Sequence, residues 1–253
     1  LVQAVQARGG QLTEHRVTHL EATGDRVVVE DRLSARMIVG TDEVNSVVRR
    51  HLQLPNQPAA HLGVALRGYA AVPPGPGRLE IRFPPDRTGR DYCWCFTAGV
   101  GRANVGVGTF DTIRRPRRSE LERTLRQLFP AVQVEASTLR GHRPPLGSFR
   151  PTLGGGRVLL AGDAASLVDP LTGEGAHHAL VSKMLAGRIA MPDPKGATAT
   201  YAAEPHRRIG RRLGRLPVRP RRRRRRPGRG DPRAAGRGAV ACGSACPTPA
   251  RPP

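Results

Sequence analysis

Residues 157–190, RVLLAGDAASLVDPLTGEGAHHALVSKMLAGRIA, decide how the chain is read. Val158-Leu159-Leu160-Ala161 is a short apolar run of the kind that forms a buried strand, and Gly162-Asp163 closes it with a turn and a carboxylate. The loop Asp169-Pro170-Leu171-Thr172-Gly173-Glu174-Gly175 follows. Ala176 to Ala190 then has helical spacing, with Ala179, Leu180, Met184 and Ile189 predicted as its apolar face. Strand, carboxylate, glycine-rich loop and helix start together suit a nucleotide-like ligand. The N–H groups of a first helical turn lack intrahelical partners and attract anions or carbonyl oxygens, and glycines let a ligand approach the backbone. The same spacing also fits an ordinary strand-to-helix connection.

Gly162-Asp163-Ala164-Ala165, Asp169-Pro170 and Gly173-x-Gly175 resemble the second flavin motif of FAD enzymes built like the aromatic hydroxylases. The longer string GDAASLVDPLTGEG resembles that of the geranylgeranyl reductase family. The resemblance implies that Asp163, beside Gly162, hydrogen-bonds the FAD ribityl chain and that Pro170 lies near the isoalloxazine ring. It also implies that amides around Gly173, Glu174 and Gly175 face the pyrimidine end of the flavin, where negative charge gathers on reduction. A helix start suits that task.

Upstream, Leu1, Val2 and Val5 have helical spacing ended by Gly9-Gly10. Strands are predicted at Gln11–Leu20 and Arg26–Leu33, joined at Gly24-Asp25, and at Ala35–Val39. Gly40-Thr41-Asp42-Glu43-Val44-Asn45-Ser46-Val47-Val48-Arg49 resembles the family's Gly-x-Asp-Gly-x-x-Ser-x-x-Arg motif, which implies Asp42 near the FAD pyrophosphate or ribityl region. Read without the resemblance, Asn45 or Ser46 is a helix cap. Glu43 stands where the family has glycine, and a glutamate takes a positive φ only at a cost. No Gly-x-Gly-x-x-Gly fingerprint occurs in the first half. The chain is therefore expected to be an N-terminally truncated family member, lacking the βαβ unit that holds the ADP half of FAD.

From Leu52 to Phe110 the pattern changes to short strands, His61–Tyr69, Arg78–Phe83, Asp91–Thr97 and Ala103–Thr109, with Pro73-Pro74-Gly75-Pro76-Gly77 as a turn. Such a run predicts an antiparallel sheet. Alternation puts Tyr92, Trp94 and Phe96 on one face, as a core strand or as an apolar wall. With Gly106 and Gly108 they resemble the family's Tyr-x-Trp-x-Phe-Pro and Gly-x-Gly signature, which implies that these five residues line a lipid pocket over the flavin. Thr97 replaces the proline. Cys93 and Cys95 face away from the wall and read as small buried residues, and no ligands stand at metal spacing around them.

Arg118 to Phe129 is a predicted packing helix, starting at Ser119, and Val132–His142 a return strand. His142, His177 and His178 are candidate acids that read first as structural, so no catalytic group is assigned. A further helix is predicted at Tyr201–Leu216. Beyond Pro217 the sequence is almost all Gly, Ala, Arg and Pro, including six successive arginines at 221–226. That composition cannot bury a core and is expected to stay unfolded. Its residues match GC-rich codons read out of frame, so a frame-shift product is expected, with a functional arm as the alternative.

The formal charge is +22, of which +15 falls in residues 207–253 and only +7 in residues 1–206. The charge is thus mainly a tail property, and the tail has no interleaved aromatics to stack bases, which disfavours nucleic acid. No apolar run approaches membrane-spanning length and no signal peptide is visible, so a cytoplasmic protein with peripheral membrane contact as a candidate is expected.

The expected architecture is an α/β fold with an α+β insertion. It comprises a partial FAD-binding domain (1–51), an antiparallel substrate-binding sheet with a helix (52–142), the second half of the FAD domain (143–190), a helical segment (191–216) and the tail (217–253). By resemblance the activity is FAD-dependent reduction of isoprenoid C=C bonds, in a geranylgeranyl lipid or a prenyl quinone, with NAD(P)H as candidate reductant. The alternatives are a flavin monooxygenase or halogenase, a nucleic-acid-binding protein acting through its tail, and an inactive fragment. A halogenase is expected to carry a pocket lysine, and Lys183 and Lys195 both fall outside the sheet region.

Overall fold

The computed structural model describes residues 2–73, 77–85, 91–99, 101–110 and 115–209. In chain order its helices and strands are α1 (Val2–Gln6), β1 (Leu20–Thr23), β2 (Arg26–Val29), β3 (Leu33–Ala35), β4 (Ile38–Gly40), α2 (Val47–His51), β5 (Val64–Ala71), β6 (Leu79–Arg82), β7 (Asp91–Thr97), β8 (Arg102–Thr109), α3 (Arg118–Leu128), β9 (Arg140–His142), β10 (Gly154–Gly155), β11 (Val158–Leu160), α4 (Ala176–Ala190) and α5 (Ala197–Arg208). Within the described residues the chain forms two compact units, one of residues 2–58, 149–168 and 175–209, the other of residues 59–148 and 169–174. The fold is mixed α/β with antiparallel sheets. The tail from 217 and most of the Pro73–Gly77 turn lie outside the described residues.

The first unit is built on β11, whose three residues are all buried. A strand buried on both faces needs a continuous apolar run, and Val158-Leu159-Leu160 supplies one. It pairs in parallel with β4, Leu159 opposite Val39, and antiparallel with β10. A separate antiparallel sheet, β1-β2-β3, turns at Gly24-Asp25. Residues 11–19 do not form the predicted strand; the regular pairing begins at Leu20. Here the apolar residues are too widely spaced to fill one face, since Leu12 is 69% exposed. The strand expected over Ala35–Val39 is divided, because β3 ends at Ala35 in one sheet and β4 begins at Ile38 in another.

Helix α4 has the predicted bounds but buries a different face. His178, Ser182, Leu185, Ala186 and Ala190 are buried, whereas Leu180 and Met184 are more than half exposed. The polar members of the buried face are satisfied locally. The His178 ring Nδ1 lies 2.7 Å from the Leu167 carbonyl, and Ser182 Oγ accepts from Gly162 N at 3.0 Å. Burial of hydrogen-bonded polar groups is tolerated, so hydrophobicity alone selects the wrong stripe. Helix α5 starts earlier than predicted, at Ala197, and carries the fully buried Tyr201, whose hydroxyl donates to the Leu160 carbonyl at 2.9 Å. The predicted continuation of this helix over 210–216 lies outside the described residues.

The second unit is a five-stranded antiparallel sheet in the order β6-β7-β8-β5-β9. Helix α3 covers one face through Leu121 and Leu125, which pack with Phe129 against Leu66, Cys93 and Val107. It runs over Arg118–Leu128, within the predicted Arg118–Phe129. The return strand expected over Val132–His142 shrinks to β9 and one bridge between Ala70 and Val134, with a 3-10 turn at Ala136–Thr138 between them. Thr138 explains the break: its hydroxyl caps the turn at Glu135 and accepts from Tyr69 N at 2.9 Å, taking the place of a ladder bond. Among the described residues no helix is long and apolar enough to cross a membrane.

Candidate functional site

The predicted site residues divide between the two units. In the first, Asp42 precedes α2 and binds its open end. Asp42 Oδ2 accepts from Val47 N at 2.7 Å and Val48 N at 3.2 Å, and Oδ1 accepts from the Ser46 hydroxyl at 2.6 Å. Ser46 is the N-cap, its Oγ accepting from Arg49 N at 2.9 Å. The cap reading therefore holds for Ser46, and Asp42 extends it. Glu43 stands at φ +64°, so the chain keeps a conformation suited to glycine although a glutamate occupies it.

Asp163 follows β11 in a 3-10 turn, Gly162–Ala165. Its Oδ1 lies 3.7 Å from where a Cβ on Gly175 would sit, so the carboxylate stands beside the N-cap of α4. No side chain caps that helix and no acid occupies its first turn. A 15-residue helix thus begins with backbone donors left for a ligand oxygen. His178 is buried against Leu167, which makes it structural, and His177 is exposed with its ring 5.8 Å from that of His178.

Sequence reasoning places Arg49 in the first motif and gives it no role in the site. This residue is 1% exposed, with Nη1 donating to the Ala164 carbonyl at 3.3 Å and to Ser166 Oγ at 3.1 Å. Its guanidinium lies 5.6 Å from the Phe149 ring centre, and its Nε and Nη2 have no acceptor among the described residues. Burial pushes its pKa below the usual arginine value. Ser166 in turn donates to Gln57 Oε1 and holds a left-handed φ of +56°. The arginine of the first motif thus supports the turn of the second. The Ser-x-x-Arg spacing is the available signal.

In the second unit, Tyr92 and Trp94 form the wall that alternation predicts, their ring centres 5.8 Å apart. Trp94 stands opposite Gly106 and Tyr92 opposite Gly108. A Cβ on Gly106 would meet Trp94 Cζ2 at 2.2 Å, so the indole lies flat across this glycine while its Nε1 donates to Asn104 Oδ1 at 2.7 Å. Phe96, half-buried, lies opposite Asn104 and Leu79. The Gly-x-Gly pair is therefore the bed on which the aromatic rings rest. Cys93 is fully buried against α3, and burial, with Glu80 nearby, raises the half-buried Cys95 thiol above its ordinary value.

Phe110, missed by sequence reasoning, joins the wall to the loop at 169–174. It stacks on Tyr92 at 5.8 Å, and a Cβ on Gly173 would meet its ring at 2.2 Å, so only glycine lets the loop pack this closely. Asp169 Oδ1 accepts from Leu171 N and Thr172 N at 2.8 Å each, Gly173 N donates to Asp169 O, and Tyr92 Oη donates to the Thr172 carbonyl. Pro170 is buried in this loop and Glu174 is exposed. Burial first, then the carboxylates of Glu174 and Asp169, raise the Tyr92 pKa. The arrangement offers a protonated phenol, a hydrogen-bonded loop and an apolar aromatic surface.

No protein-family model matches the chain. It is 35% identical over 194 residues to digeranylgeranylglycerophospholipid reductase 1 of Methanopyrus kandleri, covering 73% of this chain and 50% of that protein. It is 31% identical over 228 residues to the menaquinone reductase of Mycolicibacterium smegmatis, covering 81% and 55%. The chain thus spans about half the length of the relatives it matches. Among solved structures, a geranylgeranyl bacteriochlorophyll reductase-like protein from Thermoplasma acidophilum superposes with a TM-score of 0.64 at 21% identity, over 78% of this chain and 54% of that one. The flavin-dependent halogenase BrvH from Brevundimonas sp. BAL3 does so with 0.60 at 12% identity, over 83% and 44%.

Proposed function

We propose that the chain belongs to the geranylgeranyl reductase family of flavoproteins and that it serves FAD-dependent reduction of a C=C bond in an isoprenoid lipid or prenyl quinone. The observation that carries the proposal is the aromatic wall of Tyr92, Trp94 and Phe110 packed against the loop at 169–174. An apolar aromatic surface orients a prenyl chain without a specific polar contact.

The donor set fits FAD. Asp163 beside the uncapped start of α4 suits a ribityl hydroxyl and a pyrimidine carbonyl. When bound, reduced FAD supplies the hydride, and NAD(P)H is its proposed source. The chain's own residues then have three tasks. Tyr92, Trp94 and Phe96 exclude water and hold the prenyl chain, with Gly106 and Gly108 setting the depth of the wall. The Tyr92 phenol holds its proton at Oη and anchors the loop through Thr172. Asp42, Ser46 and Arg49 hold the turn that presents Asp163. Peripheral contact with the membrane that stores such lipids belongs to the proposal. A halogenase reading has the shared fold behind it and nothing more.

The test is a titration of the purified chain with FAD, read by flavin absorption and by quenching of Trp94, the single tryptophan. Saturable quenching followed by anaerobic conversion of menaquinone or a digeranylgeranyl phospholipid, with a mass gain of two hydrogens per bond reduced, supports the proposal. Saturable FAD binding with no reduction of either lipid by the reduced protein contradicts the substrate class, and no binding contradicts the flavin site.

A further inference from the structure

The strand at one edge of the second unit's sheet is built the wrong way round for contact with water. On β6, Leu79 is 77% and Ile81 41% exposed, and Phe83, two residues on, is 56% exposed. The charged residues between them turn toward the opposite, α3-covered face and are half-buried. Arg82 pairs with Glu80 at 2.6 Å, lies 4.6 Å over the Phe129 ring and donates to the Leu128 carbonyl. Edge strands exposed to water are usually protected by charged side chains, and three large apolar residues at alternate positions make a patch. The patch is continuous with the wall. Leu79 lies opposite Phe96 and Ile81 opposite Trp94, while the Phe83 ring lies 6.3 Å from Tyr92. Burial deepens along this path, from exposed Phe83 through half-buried Tyr92 to Phe110 at 3%.

We propose that this edge docks onto an anionic lipid bilayer, with Leu79, Ile81 and Phe83 entering its surface and passing a prenyl chain from the bilayer onto the aromatic wall. The route to the wall rests on the function proposed above; the docking does not. Charge selects the occupant. Residues 59–148 hold fourteen arginines against seven acids, whereas the rest of the first 206 residues balance. A second copy would bring the same excess of positive charge to the contact, while anionic headgroups complement it. Arg78, exposed beside Leu79, is placed to meet them. An apolar strip rimmed by arginine is the pattern by which proteins lie on a membrane without crossing it.

The test uses the full chain with phosphatidylcholine vesicles, with and without phosphatidylglycerol, brominated in their acyl chains, and no flavin or substrate. The arginine-rich tail can itself hold the chain to anionic vesicles, but bromine quenching of Trp94 reports the edge alone. Quenching on anionic vesicles is expected, and the variant Leu79→Ser/Ile81→Ser/Phe83→Ser should need roughly tenfold more lipid to reach it. Leu79→Ser alone, at the most exposed position, should fold as the parent does and show part of that loss. An unquenched Trp94 on vesicles that still sediment the chain overturns the proposal. So does equal quenching in the parent and both variants, or a concentration-dependent dimer that the variants dissolve while vesicles leave Trp94 unquenched. Because flavin is absent, this result stands apart from the FAD titration, and either can fail alone.

Discussion

Replacing Gly106 by alanine tests whether the wall depends on a missing Cβ. The new methyl would sit 2.2 Å from Trp94 Cζ2, 2.6 Å from Cη2 and 2.7 Å from the Leu66 carbonyl oxygen. The indole can rotate, but the carbonyl belongs to the β5 backbone, paired along the full length of β8, so the sheet must also give. Overpacking of this kind costs about 1–3 kcal/mol. A displaced indole also loses its bond to Asn104, worth about 1 kcal/mol. Alanine recovers about 0.5–1 kcal/mol through its lower chain entropy. The net loss is about 1–3.5 kcal/mol, or a drop of roughly 0.5–1.8 M in the urea midpoint at a slope of about 2 kcal/mol/M. Trp94 emission reads the transition of the sheet unit and should shift to the red in the folded variant. Gly108→Ala is the control, because its methyl would meet only the Phe110 ring, at 3.1 Å, and Trp94 at 3.7 Å. It should cost under about 1 kcal/mol. Equal midpoints for parent and Gly106→Ala, with unchanged emission, would refute the reasoning.

Other outcomes follow from single residues. Glu43→Gly should stabilise the chain by about 0.5–1 kcal/mol, the left-handed penalty less the added chain entropy, whereas Glu43→Ala should give no such gain in thermal unfolding. Burial raises the Tyr201 pKa in the folded state, so above about pH 10 the unfolded chain loses a proton that the folded one keeps, and stability falls as pH rises. Tyr201→Phe should cost about 1 kcal/mol near neutral pH and flatten that alkaline decline in urea midpoints. Tyr92→Phe frees the Thr172 carbonyl and should weaken FAD binding roughly three- to tenfold, with the urea midpoint within about 0.5 M of the parent.

The sequence is most legible where one rule acts alone. Val158-Leu159-Leu160 could be only a buried strand, and α4 begins and ends at the residues that its spacing predicts. Alternation likewise places Tyr92 and Trp94 on a common face. Legibility fails where polar groups are satisfied at a distance. Nothing local says that His178 will find the Leu167 carbonyl, so spacing alone misassigns the buried stripe of α4. Thr138 breaks the return strand through a bond to Tyr69, 69 residues away. Phe110 and Arg49 owe their positions to contacts with residues 173 and 164–166, which no window of neighbouring residues contains.

Arg49 separates geometry from stability most sharply. A buried guanidinium with two nitrogens lacking acceptors and no carboxylate partner among the described residues contributes little to stability, because its desolvation offsets what its two long hydrogen bonds return. Its place in the fold is better explained by what it positions. It ties the helix capped by Ser46 to the left-handed turn at Ser166, and so fixes the short stretch between Asp163 and Val168. Arg49→Met keeps much of the packing of the stem and removes the charge without leaving any other charge unpaired. Stability should therefore change by no more than about 1 kcal/mol, while Arg49→Ala, which also opens a cavity, should cost about 2–4 kcal/mol. If geometry is the role, Arg49→Met weakens FAD binding at nearly unchanged urea midpoint. A methionine variant that unfolds as easily as the alanine variant, or one that binds FAD as the parent does, would show that the arginine is held for its charge or its bulk and not for the turn.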